Sequence, residues 1–243
     1  MSETLALTHV LNQIFGGVIV TVMHALGLTA DPATVIDDAL ALEILVATGL
    51  ILFFVIVRMT LSVEKPNTAQ QMAEMVHEFT GDLGEQIIGH GYERFQAFAT
   101  CVGLFVLLNN LLGLIPGVPT PTAKPVVPLG VALLTFLYYN FHGVRVQGVI
   151  GYLKHFAGPL WWLAPLLFPI EIVSHCARVL ALTIRLYANM LASDMLTMVF
   201  FSMIPMLVPS AFLGLHLVVS LIQAYVFMLL SLIYLSEAVA KEH

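Results

Sequence analysis

Ionisable and amide side chains interrupt the two most C-terminal apolar tracts of the sequence. The residues there that could do chemistry are Glu171, His175, Arg178, Arg185, Asn189, Asp194, His216 and Gln223. A charge placed at membrane depth is energetically costly and by default marks a functional site. Carboxylates and imidazoles exchange protons near neutral pH, whereas a guanidinium keeps its proton. The set therefore predicts proton transfer around a permanent positive charge.

Helical spacing groups most of these residues on two faces. At about 100° per residue, one stripe holds five of them: Glu171, His175, Arg178, Arg185 and Asn189. Asp194 follows Arg185 by nine residues and therefore points to the opposite face. On the next helix His216, Gln223 and Glu237 are separated by 7 and 14 residues and share a face. We expect the two stripes to face one another across an antiparallel hairpin.

Several of these residues also have a purely structural interpretation. Glu171 and Arg178 could form an ion pair, and Arg178 could instead extend its charge to the lipid headgroups. Both histidines and the glutamine could be packed polar groups that join neighbouring helices. Arg185 is the hardest to explain in this way, because it lies mid-span with no acid three or four residues away. Its charge would block a proton from passing straight through and would favour proton release from a nearby carboxylic acid.

The composition indicates that lipid, and not water, is the main solvent of the chain. Of 243 residues 59% are hydrophobic and 10% are charged, whereas soluble domains carry about 25% charged residues. The tracts Phe95–Ile115, Val126–Val144 and Met195–Ser236 contain no Asp, Glu, Lys or Arg, and each is long enough for a membrane-crossing helix. We expect an all-α polytopic membrane protein with five spans, at about 39–61, 95–116, 126–144, 163–203 and 210–238.

Two connecting segments and the fourth span have patterns of their own. Asn67–Gly91 mixes apolar and acidic residues with helical spacing, which predicts an amphipathic helix at the cytoplasmic interface. Leu114–Pro128 holds five prolines and predicts a stiff external turn. The fourth span is too long to stand upright, because its helix from Pro169 onward would cover about 50 Å. It must tilt or bend, and with the last span it forms a long tilted hairpin.

Basic residues set the expected orientation. If the N-terminus is outside, six Lys and Arg residues fall on the cytoplasmic side and only Lys124 on the other, as the positive-inside rule requires. The C-terminus is then cytoplasmic. We expect residues 1–38 to form an outside or interfacial segment. The pattern assigns no role to its scattered polar positions, which are Thr8, Asn12, Gln13, Thr21 and His24. Residues 39–243 form a single membrane domain.

Motifs for hydrolysis, nucleotide binding and metal binding are absent from the sequence, which has no H-E-x-x-H, no G-x-S-x-G and no P-loop. We therefore expect no catalytic residue, no metal and no cofactor. The net charge of −6 gives no sign of nucleic-acid binding. The alternative function is a self-contained, proton-coupled secondary transporter. That class predicts inverted repeats and discontinuous helices, and neither is recognisable in the sequence.

Residues 181–190, Ala-Leu-Thr-Ile-Arg-Leu-Tyr-Ala-Asn-Met, resemble the signature of the F-type ATP synthase a subunit of bacteria. In that signature an arginine is followed four residues later by asparagine and then methionine. The resemblance continues through 110–116, 169–171, 221–227 and 234–236, and covers about residues 40–240. It implies a non-catalytic, proton-translocating stator subunit of a cell inner membrane, with two half-channels. The implied partners are the c-ring proteolipids, the b subunits of the peripheral stalk, other F1Fo subunits and membrane lipid.

The same resemblance implies roles for individual residues. Arg185 would face the carboxylate of each passing c-ring subunit. The positions that match the half-channels are Glu171, Asn189, Asp194, His216 and Gln223. We expect the ring-facing surface to be marked by Leu182, Leu186 and Asn189. The sequence departs from the family at Gly113 and Lys124, where members often carry acids or Asn, so entry of protons through an acid at that hairpin is not expected.

Overall fold

The computed structural model describes residues 6–25, 36–62, 65–115, 118–157, 164–203 and 207–239. Within these ranges the chain is helical and has no β-strand. The helices are α1 (Ala6–Ala25), α2 (Asp38–Met59), α3 (Thr68–Ile88), α4 (Glu93–Leu112), α5 (Val126–Ala157), α6 (Ala164–Met203) and α7 (Leu207–Val239). A short 3-10 turn, Pro121–Ala123, lies between α4 and α5. The predicted all-α class is confirmed.

Five of these helices are long and apolar enough to cross a membrane. Among the described residues the spans are Asp38–Met59, Glu93–Leu112, Val126–Gly148, Pro165–Phe200 and Ser210–Val239. They agree with the predicted spans to within a few residues. The sequence did not predict that helical structure continues past the third span to Ala157 after a break at Gly148. Gly148 has a φ of 76°, which residues with a side chain rarely adopt, so the helix changes direction there.

α3 is the predicted amphipathic helix. Its first turn is capped by Asn67, whose side-chain oxygen accepts a hydrogen bond from the Thr68 amide. It packs against α4, where the Thr100 hydroxyl donates to the Thr80 hydroxyl at 2.9 Å. Three of its large apolar side chains stay exposed: Met72, Met75 and Phe79. The helix is confirmed, and its position at the cytoplasmic interface stays a prediction.

The main apolar core lies among α4, α5, α6 and α7. Its buried members include Val106 of α4, Ala132 of α5, Leu186 and Met190 of α6, and Phe227 of α7. In the apolar segment of α6 only 11% of the residues are buried, against 50% in α4. α6 is 40 residues long, or about 60 Å by helical rise. Most of this long helix is therefore left uncovered by the rest of the described chain.

The ring-facing surface predicted on α6 is wrong in two of its three residues. Leu182 and Leu186 are 4% and 0% exposed and belong to the core, whereas Asn189 is exposed. Helical periodicity does not separate these cases, because in a membrane both the packed face and the outer face of a helix are apolar. The exposed face runs through Arg185 and three small residues: Ala181, Ala188 and Ala192.

The N-terminal helix is attached to the beginning of α2 through polar side chains. The Asn12 amide donates to the Ile36 carbonyl at 3.0 Å and accepts from the Ile36 N–H at 2.9 Å. The Thr8 hydroxyl donates to an Asp38 carboxylate oxygen at 2.5 Å. Both Thr8 and Asn12 are buried. Two of the polar positions that had no assigned role therefore hold α1 against α2.

Candidate functional site

α6 and α7 run antiparallel and carry polar residues at both ends of the pair. Ser193, late in α6, meets His216, early in α7, while Arg178, early in α6, meets Glu237, late in α7. We define the turn cluster as Asn110, Thr120, Thr122, Ser193, Asp194 and His216. We define the terminal cluster as Tyr139, Glu171, His175, Arg178, Tyr234 and Glu237. Arg185 lies between the two clusters.

His216 is the centre of the turn cluster and is 1% exposed. Its Nδ1 lies 2.8 Å from the Ser193 hydroxyl and 3.7 Å from Oδ1 of Asp194. Its Nε2 lies 3.0 Å from the backbone carbonyl oxygen of Asn110. A carbonyl only accepts, so Nε2 carries the proton of the neutral ring and Nδ1 accepts from Ser193. Protonation of Nδ1 would then produce an imidazolium directed at the serine and the carboxylate.

Asp194 is held from a second side by the proline-rich segment between α4 and α5. The Thr120 hydroxyl donates to Oδ1 of Asp194 at 2.9 Å. Two residues further on, the Thr122 hydroxyl donates to Oδ1 of Asn110 at 2.6 Å. Both threonines are buried. The turn cluster is thus a hydrogen-bonded group built from α4, the proline-rich segment, α6 and α7, in which the α6 residues Ser193 and Asp194 stay partly exposed.

The proline-rich segment is also joined to α2. The Lys124 ammonium pairs with the carboxylate of Asp37, the residue that precedes α2. This hydrogen bond lowers the pKa of Asp37 below its ordinary value of 3.8, and the backbone N–H of Asp38 acts in the same direction, against partial burial. Lys124, one of the two departures from the family pattern, is therefore an ion-pair partner at the end of a span.

A cleft of about 290 Å³ between α6 and α7 extends from the turn cluster toward Arg185. Its polar lining residues are Ser193, Asn189 and Gln223. Asn189 stands one helical turn from Arg185 on the same helix. Polar groups therefore follow one another from His216, through Ser193 and the cleft, to the neighbourhood of the arginine.

The terminal cluster contains a second series of groups that can carry protons. Nε2 of His175 lies 3.5 Å from an oxygen of Glu171. Nδ1 of the same ring lies 2.8 Å from the hydroxyl of Tyr139 on α5, which is 2% exposed. The imidazole therefore bridges a half-exposed carboxylate and a buried phenol.

Arg178 completes the terminal cluster. Its guanidinium lies 2.5 Å from a Glu237 carboxylate oxygen on α7 and 4.9 Å from the centre of the Tyr234 ring. The pairing of Arg178 with Glu171, which the sequence left open, is not formed, because Glu171 meets His175 instead. The charge of Arg178 is thus directed at the neighbouring helix.

Arg185 differs from Arg178 in both exposure and partners. Its side chain is exposed, and among the described residues no carboxylate lies within ion-pair distance of it. By helical rise it stands about 14 Å from Asp194 and about 21 Å from Glu171 along α6. A lone guanidinium therefore separates the two clusters on a face that the described part of the chain does not cover.

Comparison with known proteins assigns the family. A sequence model of the ATP synthase A chain family matches residues 40–236. The chain belongs to this family. It is similar to ATP synthase subunit a of Koribacter versatilis (strain Ellin345), with 50% identity over the full length of both chains. It is 46% identical to the subunit of Solibacter usitatus, over 83% of this chain and 87% of that one, and 38% identical to that of Sulfurimonas denitrificans, over 82% and 90%.

The eight residues predicted from sequence are distributed over this arrangement. Asp194 and His216 meet in the turn cluster, Asn189 and Gln223 line the cleft, and the terminal cluster holds Glu171, His175 and Arg178. Arg185 stands alone between them. Sequence reasoning missed the neutral partners, which are Thr120, Thr122, Ser193 and Tyr139. The only sequence signal for the threonines was the Pro-Thr-Pro-Thr run at 119–122. Because the segment is rich in proline, this run was interpreted only as part of a turn.

Proposed function

We propose that this chain is the proton-translocating stator subunit of the Fo sector in a bacterial F-type ATP synthase. The observation that carries the proposal is Arg185, an exposed guanidinium at mid-helix that has no carboxylate within ion-pair distance among the described residues and has a titratable cluster on either side. Membership of the ATP synthase A chain family supports it. The chain would lie in the cell inner membrane with its N-terminus outside and its C-terminus in the cytoplasm.

The two clusters would serve as half-channels on opposite sides of the membrane. In this proposal protons enter through the turn cluster and the cleft, and reach an acid on a rotating c-ring that faces α6. They leave through the terminal cluster after the ring has turned. Arg185 would keep the two paths separate, because a guanidinium does not release its proton. It would also favour the charged form of each ring carboxylate that passes it.

In this proposal the chain carries out no bond-making chemistry itself, and ATP is made elsewhere in the complex. Its partners would be the c-ring, the b subunits of the peripheral stalk, other F1Fo subunits and membrane lipid. The uncovered length of α6 supports a large partner, because the described part of the chain leaves open the face that carries Arg185, and lipid alone would leave that charge in hydrocarbon at a high energetic cost. The partner must present an acid at mid-membrane depth to meet the guanidinium.

Substitution of Arg185 tests the proposal. We expect Arg185→Ala to abolish ATP-driven proton pumping and proton-driven ATP synthesis in membrane vesicles while the complex still assembles. Arg58→Ala, which removes an exposed arginine at the end of α2, is the matched control and should retain both activities. Flux measured with and without sodium identifies the coupling ion.

Two results would contradict the proposal. Normal coupled activity in the Arg185→Ala complex would show that proton transport does not require the arginine. Proton-coupled uptake of a solute by the purified chain, reconstituted without other subunits, would favour the self-contained transporter.

A further inference from the structure

Thr120 occupies a position that no role assigned so far explains. It lies in the proline-rich segment, is 3% exposed, and its hydroxyl reaches Oδ1 of Asp194 at 2.9 Å across 74 residues of sequence. Most other buried threonine hydroxyls of the described chain have a local partner: those of Thr135 and Thr183, for example, donate to a carbonyl of their own helix. The Thr120 hydroxyl instead joins a separate segment to a carboxylate on α6.

The glycine at position 113 makes room for this contact. A Cβ on Gly113 would lie 2.0 Å from the Thr120 hydroxyl oxygen and 3.1 Å from two ring atoms of His216, Cε1 and Nε2. At 2.0 Å the atoms overlap, so any side chain at 113 would displace the Thr120 hydroxyl, whereas the imidazole would have to shift by only a few tenths of an ångström. The threonine hydroxyl thus fills the space in which a side chain of residue 113 would otherwise stand. Gly113, Thr120 and His216 fit together as one packed unit beside Asp194.

We propose that Thr120 is a positioning residue for Asp194, and that Gly113 is required for it to act. The inference rests on the proposed function of Asp194 in a half-channel. The hydroxyl donates to Oδ1, the same oxygen that lies 3.7 Å from Nδ1 of His216. It therefore fixes the carboxylate in the orientation that faces the imidazole, and stabilises its charged form.

Asp194 has few titratable neighbours, so a change in the pH dependence of proton pumping can be attributed to Asp194 and His216. Within hydrogen-bond or ion-pair reach of its carboxylate, the titratable group among the described residues is His216 of α7. The proline-rich segment contacts Asp194 through the neutral side chain of Thr120. α4 contacts the ring of His216 through the neutral backbone carbonyl of Asn110. Lys124, further along the segment, is paired with Asp37.

The test compares four substitutions by ATP-driven proton pumping in vesicles that contain the whole complex. Thr120→Val removes the hydroxyl at nearly constant volume and should slow pumping roughly tenfold, as expected for loss of a hydrogen bond to a charged group. It should also move the pH profile toward higher pH, because the carboxylate then holds its proton more firmly.

Thr120→Ser should stay within about twofold of wild type. Thr135→Val, the same change at a threonine that bonds only its own helix, should have no effect. Gly113→Ala should reproduce the loss seen in Thr120→Val.

If Thr120 positions Asp194, the loss of pumping in Thr120→Val must depend on the presence of the Asp194 carboxylate. Asp194→Asn should itself slow pumping strongly, and Thr120→Val should add little in that background. If Thr120→Val lowers the amount of assembled complex, Thr120→Ser and Thr120→Cys provide a pair of equal size in which a good donor is exchanged for a poor one.

The outcomes separate this inference from the function on which it rests. Wild-type pumping in Asp194→Asn would overturn the proposed function of that residue. A strong loss in Asp194→Asn with wild-type rate and pH profile in Thr120→Val would overturn the positioning role alone. Equal further loss from Thr120→Val with and without Asp194 would also overturn it, since the threonine would then act elsewhere.

Discussion

At the scale of single residues, membrane depth made the charged groups easy to predict and the neutral ones difficult. A charge among apolar residues is conspicuous, because it is costly in hydrocarbon. A threonine or tyrosine is not, since its hydroxyl can bond the backbone of its own helix, as that of Thr135 does. Thr120 and Tyr139 have the same residue types but reach Asp194 and His175 across long sequence separations. Their roles depend on tertiary contacts that local sequence does not encode.

The close approach of Asp194 and His216 predicts that they act as a coupled pair. Asp194→Asn and His216→Gln should each slow proton flux and shift its pH dependence, because each removes a titratable group from the turn cluster. The double variant should lose less than the two single losses combined, with a coupling of about 0.5–3 kcal/mol. Asp194→Asn combined with Glu78→Gln, an exposed acid of α3, is the control and should be additive. Strict additivity of the Asp194 and His216 losses would disprove the coupling.

At the scale of elements, hydropathy predicted which segments are helices. It did not predict the paths of the connecting segments, which only the structure shows. The five prolines of Leu114–Pro128 correctly excluded a continuous helix. They gave no sign that the segment folds back so that Thr120 meets α6 and Lys124 meets the residue before α2. Proline restricts φ and removes a donor, which determines where a helix cannot continue but not where the chain goes next.

The ion pair between Lys124 and Asp37 predicts a small, pH-dependent contribution to stability. The folded-state pKa of Asp37 is lowered, mainly by this hydrogen bond, so the contribution is present above the ordinary value of 3.8 and is lost as the pH falls through the lowered value. Because the side chains of Lys124 and Asp37 are 44% and 59% exposed, we expect about 1 kcal/mol or less.

Asp37→Asn isolates this contribution, because asparagine is an equally good helix N-cap. The variant should unfold at a slightly lower temperature than wild type at pH 7 in low salt, and the difference should shrink in high salt and below pH 3.8. Thermal unfolding of the detergent-solubilised protein measures it. A difference that grows as the pH falls would have the wrong sign for an ion pair.

At the scale of the whole molecule, most of the fold could be predicted from the sequence because the bilayer restricts which structures are possible. Only helices satisfy the backbone in hydrocarbon at the lengths seen here, so counting apolar tracts gave the fold class and all five spans. The face of α6 that meets a partner could not be obtained in the same way. Leu182 and Leu186 are as apolar as a lipid-facing or partner-facing residue, and only the packing of α4, α5 and α7 shows that they belong to the core.

The exposed face of α6 predicts where a ring of helices would contact this chain. Arg185 stands there among Ala181, Ala188 and Ala192, and small residues let a neighbouring helix approach closely. After Cys101 and Cys176, both exposed, are replaced by serine, single cysteines at the three alanines can carry a photoactivatable maleimide. In native membranes each should cross-link to a small two-helix proteolipid. Ala97→Cys, an exposed alanine of α4, is the matched control and should not. Equal cross-linking from all four positions, or none to any small subunit, would place the ring elsewhere and leave Arg185 without the acid that its exposed position requires.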